Sequence, residues 1–177
     1  MKELSRNEAI TLSSPLPFVL VTALDERGRP NAIGVSWVTI CSWKPWLFVI
    51  SVAPERYSHR CLEHSKEFVI NYPGEALAKA AWQCSTKSGA DVDKFREFHL
   101  EAIPAQKVKP PRIKGSTVCV ECELVDRHPA GDHTLFIGKV VATSGDAEAR
   151  RHLYCIHYSK LVSLDQEGQG DFQLAFE

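Results

Sequence analysis

Short runs of β-branched and aromatic residues recur along the chain, and they constrain its fold more than any other feature. The runs at 18–25 and 46–53 are too short for a buried helix of ordinary length, and the last two runs alternate well between apolar and polar residues, as half-buried strands do. The clearest runs, with the positions they span, are FVLVTALD (18–25), PNAIGVSWVTICSW (30–43), WLFVISVA (46–53), EFVINYP (67–73), STVCVECELVDR (116–127) and HTLFIGKVVATS (133–144). We therefore expect a mainly β protein.

Three helical patterns interrupt the strand-like runs. They are YSHRCLEHSK (57–66), GEALAKAAWQC (74–84) and DVDKFREF (91–98). Asp91 is a candidate N-cap for the third helix, because a short polar side chain satisfies the free N–H groups of a first turn. Helices inserted among strands of mixed spacing favour an antiparallel barrel with helical excursions over alternating βαβ units.

The length of 177 residues and the 44% of hydrophobic residues suit one domain with a sizeable core. We expect that domain to span 1–177, with its core at about 15–164 and a C-terminal tail at 165–177. A connector broken by prolines, IPAQKVKPPRIKG (103–115), separates the helices from the last long strands.

Charge and targeting features exclude several classes of function. The formal net charge is −1, so no global field favours nucleic acid or an anionic membrane. The N-terminal MKELSRNEAI lacks the apolar stretch of a signal peptide, and no run approaches the roughly 18 apolar residues of a membrane helix. Six scattered cysteines in a chain of this length indicate reduced thiols. We expect a cytoplasmic protein.

The stretch SVAPERYSH (51–59) is the best candidate for an anion site. If a helix begins near Tyr57, its first N–H groups lack intrahelical partners and its dipole favours negative charge. Arg56 adds a fork of donors, and Ser51 and Ser58 add hydroxyl groups. A phosphate would fit this environment. The alternative interpretation is that Ser58 only caps the helix while Arg56 is solvated.

A second candidate is the strand GVSWVTIC (34–41), whose small and hydroxyl-bearing residues are unusual for a core strand. Gly34 permits close backbone approach, and exposed strand N–H and C=O groups could bind the polar edge of a flat heteroaromatic ring. The alternative is a half-exposed structural strand.

Other clusters do not assemble into a catalytic or metal site. Cys119 and Cys122 lie three apart in an alternating strand and should face opposite sides of the sheet, which disfavours a shared metal or disulfide. His133, beside Asp132 in a turn, is either a structural hydrogen-bonding residue or a polar contact above a bound ring. We therefore expect no metal, and no Ser/His/Asp or Cys/His catalytic set can be assembled from spacing alone.

These residues carry a family resemblance. The segment from PFVLVTALD (17–25) through EFVINYP (67–73), with SGADVDKF (88–95) and GDHTLFIGKVV (131–141), resembles the flavin reductase-like, FMN-binding split-barrel proteins, which include flavoredoxins and ferric reductases. The likeness covers about 15–143. It implies a split β-barrel homodimer that binds FMN noncovalently near the subunit interface.

The resemblance also implies a set of FMN-binding residues. Ser36, Trp37, Val38 and Thr39 would line the isoalloxazine. The FMN phosphate and ribityl chain would be held by Ser51, Arg56, Tyr57 and Ser58, with Lys94 as a further cation near the phosphate. His133 would lie toward the cofactor or a nicotinamide.

The implied function is that of an FMN-dependent oxidoreductase. NAD(P)H would reduce the flavin, which would pass electrons to a free flavin, a ferric complex or a protein acceptor. The alternative is a flavoredoxin-like electron carrier that docks with redox proteins and does not oxidise NAD(P)H. Two departures from the family pattern bear on substrate access: the tryptophan-rich loop SWKPW (42–46) and the C-terminal segment from Tyr154 onward.

Overall fold

Antiparallel strands dominate the computed structural model, which describes residues 1–157, 160–165 and 172–175. The strands of these residues are β1 Leu16–Pro17, β2 Val19–Leu24, β3 Pro30–Val35, β4 Val38–Trp43, β5 Trp46–Val52, β6 Glu67–Pro73, β7 Ala102–Ile103, β8 Arg112–Ile113, β9 Ser116–Ala130, β10 His133–Gly145, β11 Arg151–Ile156, β12 Lys160–Asp165 and β13 Phe172–Ala175. The α-helices are α1 Arg6–Leu12, α2 Tyr57–Ser65, α3 Ala78–Thr86 and α4 Lys94–Glu97. The expectation of a mainly β fold with helical insertions is confirmed.

Seven strands form the main sheet, in the order β3-β2-β6-β9-β10-β5-β4. All its pairings are antiparallel, and β9 and β10 pair along almost their whole lengths. The sheet curls so that β3 approaches β5. The backbone N–H of Ser51 on β5 donates to the carbonyl of Trp37, between β3 and β4, at 3.0 Å. The sheet is thus bent into an open barrel.

The alternation of strand β2 explains why the two larger of the three hydrophobic clusters among the described residues lie on opposite sides of the sheet. Val19 and Val21 face the barrel interior with Phe68 and Phe136, while Leu20 faces the other side of the sheet. On that outer side α3, α4, β11 and β12 pack against β2 and β3. A period of two sends successive side chains to opposite faces, so one strand serves both cores.

The helices differ in detail from the sequence expectations. The first predicted helix, α2, begins at Tyr57 as expected, but the second begins with a 3₁₀ turn at Glu75–Leu77. Asp93, not Asp91, caps α4: its carboxylate accepts hydrogen bonds from the N–H groups of Phe95 and Arg96. Asp93 precedes the first helical residue directly, whereas Asp91 lies too far upstream to reach that turn.

Two elements at the ends of the chain were not predicted. The short helix α1 starts with a capping box formed by Ser5 and Glu8. Near the C-terminus, β12 pairs with β11 and β13. The predicted tail at 165–177 therefore contains a strand, and its residues 166–171 and 176–177 lie outside the described residues.

Within the described ranges, none of the helices has the length and apolar character needed to cross a bilayer. The single-domain organisation and the cytoplasmic location stay predictions.

Candidate functional site

A cleft of about 430 Å³ opens on the outer side of the barrel, where the end of β3 meets β5. One wall comes from β3, the segment after it and the loop from β5 into α2, and the other comes from the last turn of α3. His133 at the start of β10 and Cys155 of β11 complete the lining. The volume lies in the range of small-molecule and cofactor sites, about 300–1,000 Å³.

The entrance of helix α2 provides the polar end of this cleft. Arg56 is the N-cap residue, lines the cleft and is exposed. No side chain caps this helix end, so Ser58 is not the cap that the alternative interpretation required. Among the described residues, the backbone N–H groups of Tyr57 and Ser58 have no hydrogen-bond acceptor. Free N–H groups, a helix dipole and a guanidinium together favour an anion.

A buried network beneath the helix entrance fixes its geometry. The Nδ2 group of Asn31 on β3 donates to Ser58 Oγ at 2.7 Å, and the Tyr57 hydroxyl donates to Asp25 Oδ2 at 3.1 Å. The guanidinium of Arg29 contacts the same Asp25 carboxylate at 2.7 Å. Burial raises the pKa of Asp25, but hydrogen bonds from Arg29, from the Arg27 backbone and from Tyr57 outweigh it and lower the pKa to about 2.

The hydroxyl groups of Tyr57 and Ser58 therefore bond within the protein, whereas the resemblance implied that these residues hold the FMN phosphate and ribityl chain. Ser58 is buried and Tyr57 lines a neighbouring cleft of about 210 Å³ beside Asp25. Neither residue lines the main cleft, although their backbone N–H groups directly follow Arg56, which does line it. Ser51, by contrast, lines the main cleft as expected.

An aromatic pair also lines the cleft. The rings of Trp37 and His133 lie 4.6 Å apart between centroids, and both residues line the cleft. His133 Nδ1–H donates to Asp132 Oδ1 at 2.6 Å, and this hydrogen bond lowers the pKa of Asp132. The structure shows the hydrogen bond to the turn aspartate and places His133 in the cleft lining, while its contact with a bound ring stays a prediction.

The segment expected to line the ring divides between cleft, core and surface. Ser36 lines the cleft beside Trp37. Val38 is buried and packs in the barrel core, while Thr39 is exposed and does not line the cleft. The strand β4 starts at Val38, so successive side chains from there alternate between the two sides of the sheet.

Lys94 does not reach the cleft as the further cation that the resemblance implied. Its ammonium is 4% exposed and donates to two backbone carbonyls, those of Ala32 at 2.8 Å and of Cys84 at 2.6 Å. Burial lowers the pKa of Lys94.

Sequence reasoning missed the second wall, which is formed by Trp82, Ser85 and Thr86 of α3. Gly34 was expected to allow close approach of a ligand, but a Cβ at this position would overlap Ser85 Oγ and come within 2.7 Å of Phe18 Cζ. Gly34 therefore lets α3 approach β3. A glycine in a strand signals close approach, but the local pattern does not identify the approaching element.

The cysteines occupy separate environments. Cys119 and Cys122 are both buried, and they pack in different hydrophobic clusters, as their spacing predicts. Burial raises the pKa of the Cys122 thiol to about 12. In the part of the chain that the structure describes, no group of three or more histidine, cysteine or acidic residues is placed to hold a metal ion.

The cleft fits the cofactor that the resemblance implies. Arg56 and the uncapped helix entrance that it begins suit a phosphate, and Trp37 and His133 suit a flat ring. In its second wall, Ser85 Oγ is buried and has no hydrogen-bond partner among the described residues. Glu55 also lines the cleft beside Arg56 and is the one feature that opposes an anion there.

Relatives of known structure share this architecture. Flavoredoxin of Desulfovibrio vulgaris superimposes with a TM-score of 0.77 at 26% identity, covering 100% of this chain and 94% of that one. An FMN-binding protein of Thermus thermophilus gives 0.77 at 22% identity, covering 100% and 96%. An NADH:FAD oxidoreductase of Streptomyces globisporus gives 0.78 at 20% identity, covering 100% and 99%. The expected split-barrel fold is confirmed.

Sequence comparison identifies the family. An uncharacterised protein of Pyrococcus abyssi is 36% identical over 142 residues, which is 80% of this chain and 81% of that protein. The family model described as "Flavin reductase like domain" matches residues 12–162, which contain the whole cleft. The chain belongs to the flavin reductase-like domain family.

Proposed function

We propose that the cleft binds FMN, with the phosphate at the entrance of α2 and the isoalloxazine beside Trp37 and His133. The uncapped N-terminus of α2 carries this proposal, because its N-cap residue Arg56 lines the same cleft as the aromatic pair, and the free N–H groups of the first helical turn follow Arg56 directly. A dianionic phosphate gains charge-assisted hydrogen bonds there, and a planar ring gains stacking area.

We propose further that the protein is an oxidoreductase that uses reduced pyridine nucleotide. When bound, FMN would accept a hydride and pass electrons to a free flavin, a ferric complex or a protein. The chain's own residues would bind and orient the cofactor: Arg56 would hold the phosphate, and Trp37 would fix the plane of the ring. His133, held by Asp132, would present its second ring nitrogen to the cleft as a hydrogen-bonding group.

The second candidate is an FMN electron carrier that docks with redox proteins and does not oxidise NAD(P)H. The similarity to flavoredoxin favours it, since that relative has the highest identity of the three solved structures described above. The similarity to an NADH:FAD oxidoreductase favours the first candidate. Both candidates use the same FMN site and differ only in the electron donor.

Anaerobic mixing of FMN-loaded protein with NADH or NADPH separates the candidates. A reductase should lose the visible absorption of its oxidised flavin within seconds of mixing with one of the two nucleotides. A carrier should keep that absorption with both nucleotides and lose it only when a chemical reductant such as dithionite is added. Dithionite thus serves as the control that the bound flavin is reducible.

We also propose a homodimer. Three large apolar side chains, Ile40, Trp43 and Trp46, are exposed on the β4–β5 hairpin at 38%, 72% and 36%. A cluster of this kind is expected to be covered by another protein surface. Sedimentation equilibrium of the flavin-loaded protein should give twice the mass of the chain. A monomer that binds FMN tightly would contradict this proposal.

A further inference from the structure

The environment of Lys94 is unusual for a lysine. Its side chain is 4% exposed, and its ammonium donates to the carbonyls of Ala32 and Cys84 at 2.8 and 2.6 Å. Burial lowers its pKa, the ionisable groups that act on its charge are Cys84, Arg56 and Cys61, and none of its contacts among the described residues is an ion pair. A buried ammonium compensated by carbonyl dipoles alone is costly, and an apolar side chain would serve packing better.

The two carbonyls belong to the opposite walls of the cleft. Ala32 on β3 directly precedes Ile33 and Gly34, which line one wall, and Cys84 on α3 directly precedes Ser85 on the other. One ammonium group therefore ties the backbones of both walls together. The short donor–acceptor distances allow little relative movement between them.

The two walls are also in close contact at Gly34. At Gly34 there is no room for a Cβ, because Ser85 Oγ and the ring of Phe18 fill that space. The end of α3 therefore rests directly on the backbone of β3. The two hydrogen bonds of Lys94 and the absence of a side chain at Gly34 together keep the walls in contact.

We propose that Lys94 is a positioning residue that fixes the separation of the two walls and so shapes the cleft for the flavin. Lys94 acts through the backbone of its neighbours and does not touch the ligand. This inference rests on the proposed FMN site. It differs from the role implied by the resemblance, in which Lys94 would be a cation at the phosphate.

Binding of FMN and of riboflavin distinguishes the two roles. Riboflavin lacks the phosphate and shares the ring and ribityl chain. A change in wall separation affects the shared part, so Lys94→Met should weaken both ligands by the same factor, about tenfold. Circular dichroism and the melting temperature of the protein without flavin would establish that the variant is folded. Lys79→Met, which removes an exposed lysine of α3 outside the cleft, is the matched control and should leave both affinities unchanged.

Three outcomes would overturn the proposal. A loss confined to FMN would make Lys94 a phosphate ligand. Unchanged affinity for both flavins in folded Lys94→Met protein would show that the two hydrogen bonds of Lys94 do not shape the cleft for the flavin. An equal loss in the Lys79→Met control would make the effect nonspecific. Wild-type protein that binds neither flavin would instead refute the proposed FMN site, so the two failures can be told apart.

If Lys94→Met does not fold, Gly34→Ala provides the test. The added methyl group must displace Ser85 and Phe18, which alters the wall contact while leaving the buried charge in place. FMN and riboflavin should again weaken together, by about tenfold. Unchanged affinity for both flavins in folded Gly34→Ala protein would overturn the proposal.

Discussion

The two ends of the cleft are built in opposite ways. At the α2 entrance, buried hydrogen bonds from Asn31 and Tyr57 support the helix, and Asp25 binds Arg29 and the turn before β3. At the aromatic end, Trp37 is 45% exposed, and the hairpin that follows carries further exposed tryptophans. One end is rigid and polar, and the other is open and apolar.

We expect the helix entrance to determine the affinity for flavin and the aromatic pair to determine the access of electron donors and acceptors to the ring. A preorganised set of donors costs little to bind a phosphate, because its groups are already oriented. An open aromatic mouth leaves one side of a bound ring accessible to an electron donor or acceptor. We therefore expect substitutions at the helix entrance to change flavin affinity more than substitutions at the mouth.

The largest effect is expected for Arg56→Ala. Loss of a charge-assisted phosphate contact should weaken FMN binding by about 1.5–3 kcal/mol and change riboflavin binding little. Fluorescence titration with both flavins measures the effect. Lys139→Ala, at an exposed position of β10 outside the cleft, is the control with the same change in net charge. Equal FMN affinity in both variants would remove Arg56 from the site.

Asp25→Asn should weaken the hydrogen-bond network that supports the N-terminus of α2. Replacing the carboxylate weakens its bonds to Arg29 and Tyr57, so the free energy of unfolding at neutral pH should fall by about 1–3 kcal/mol. The pKa of Asp25 in the folded protein, about 2, lies below the unfolded value of about 3.9. Its contribution is therefore complete above about pH 4 and is lost as the pH falls toward 2.

Urea titrations across this range would measure both parts of the prediction. The stability difference between wild type and Asp25→Asn should shrink steadily as the pH is lowered from about 4 to about 2. A difference that is constant over this range would show that the carboxylate charge does not support the helix entrance.

Trp37→Ala tests the open end. Aromatic contacts contribute about 0.5–1.5 kcal/mol beyond burial of area, so FMN and riboflavin should both weaken, by about tenfold or less. The fluorescence of bound flavin should also rise, because an indole next to the ring would no longer quench it. A loss larger than that of Arg56→Ala would reverse the proposed order of the two ends.

The smallest effect is expected for Glu55→Gln. This exposed carboxylate lines the cleft beside Arg56 and repels an anion, so its removal should tighten FMN binding by about two- to threefold. The gain should decrease as salt is added, because exposed charges are screened. Weaker FMN binding by the variant would mean that Glu55 orients Arg56 or contacts the ligand itself.

The sequence predicted those parts of the molecule that depend on local pattern. The main strands and helix α2, which begins at Tyr57, follow from periodicity, and its role as an anion site stays a prediction. Ser36, Trp37, Ser51, Arg56 and His133 do line one cleft. That they contact FMN stays a prediction.

Several of the expected site residues lie outside the cleft lining, where tertiary packing decides the position of a side chain. Lys94 is recognisable as a cation in sequence, but only the packing of α4 against β3 and α3 buries it under the wall. The same packing brings Ser85 to Gly34, although the two are distant along the chain. Tyr57 and Ser58 begin the predicted helix, yet their hydroxyl groups bond to Asp25 in the turn after β2 and to Asn31 on β3.

The central claim is that the uncapped entrance of α2 binds the phosphate of a flavin whose ring lies along the adjacent segment after β3. Titration of folded, flavin-free protein with FMN and with riboflavin, followed by calorimetry, tests it most directly. We predict one FMN per chain and riboflavin bound at least about tenfold more weakly, as expected for one or more charge-assisted phosphate contacts. Equal affinities for the two flavins, or no binding of FMN by demonstrably folded protein, would contradict the claim.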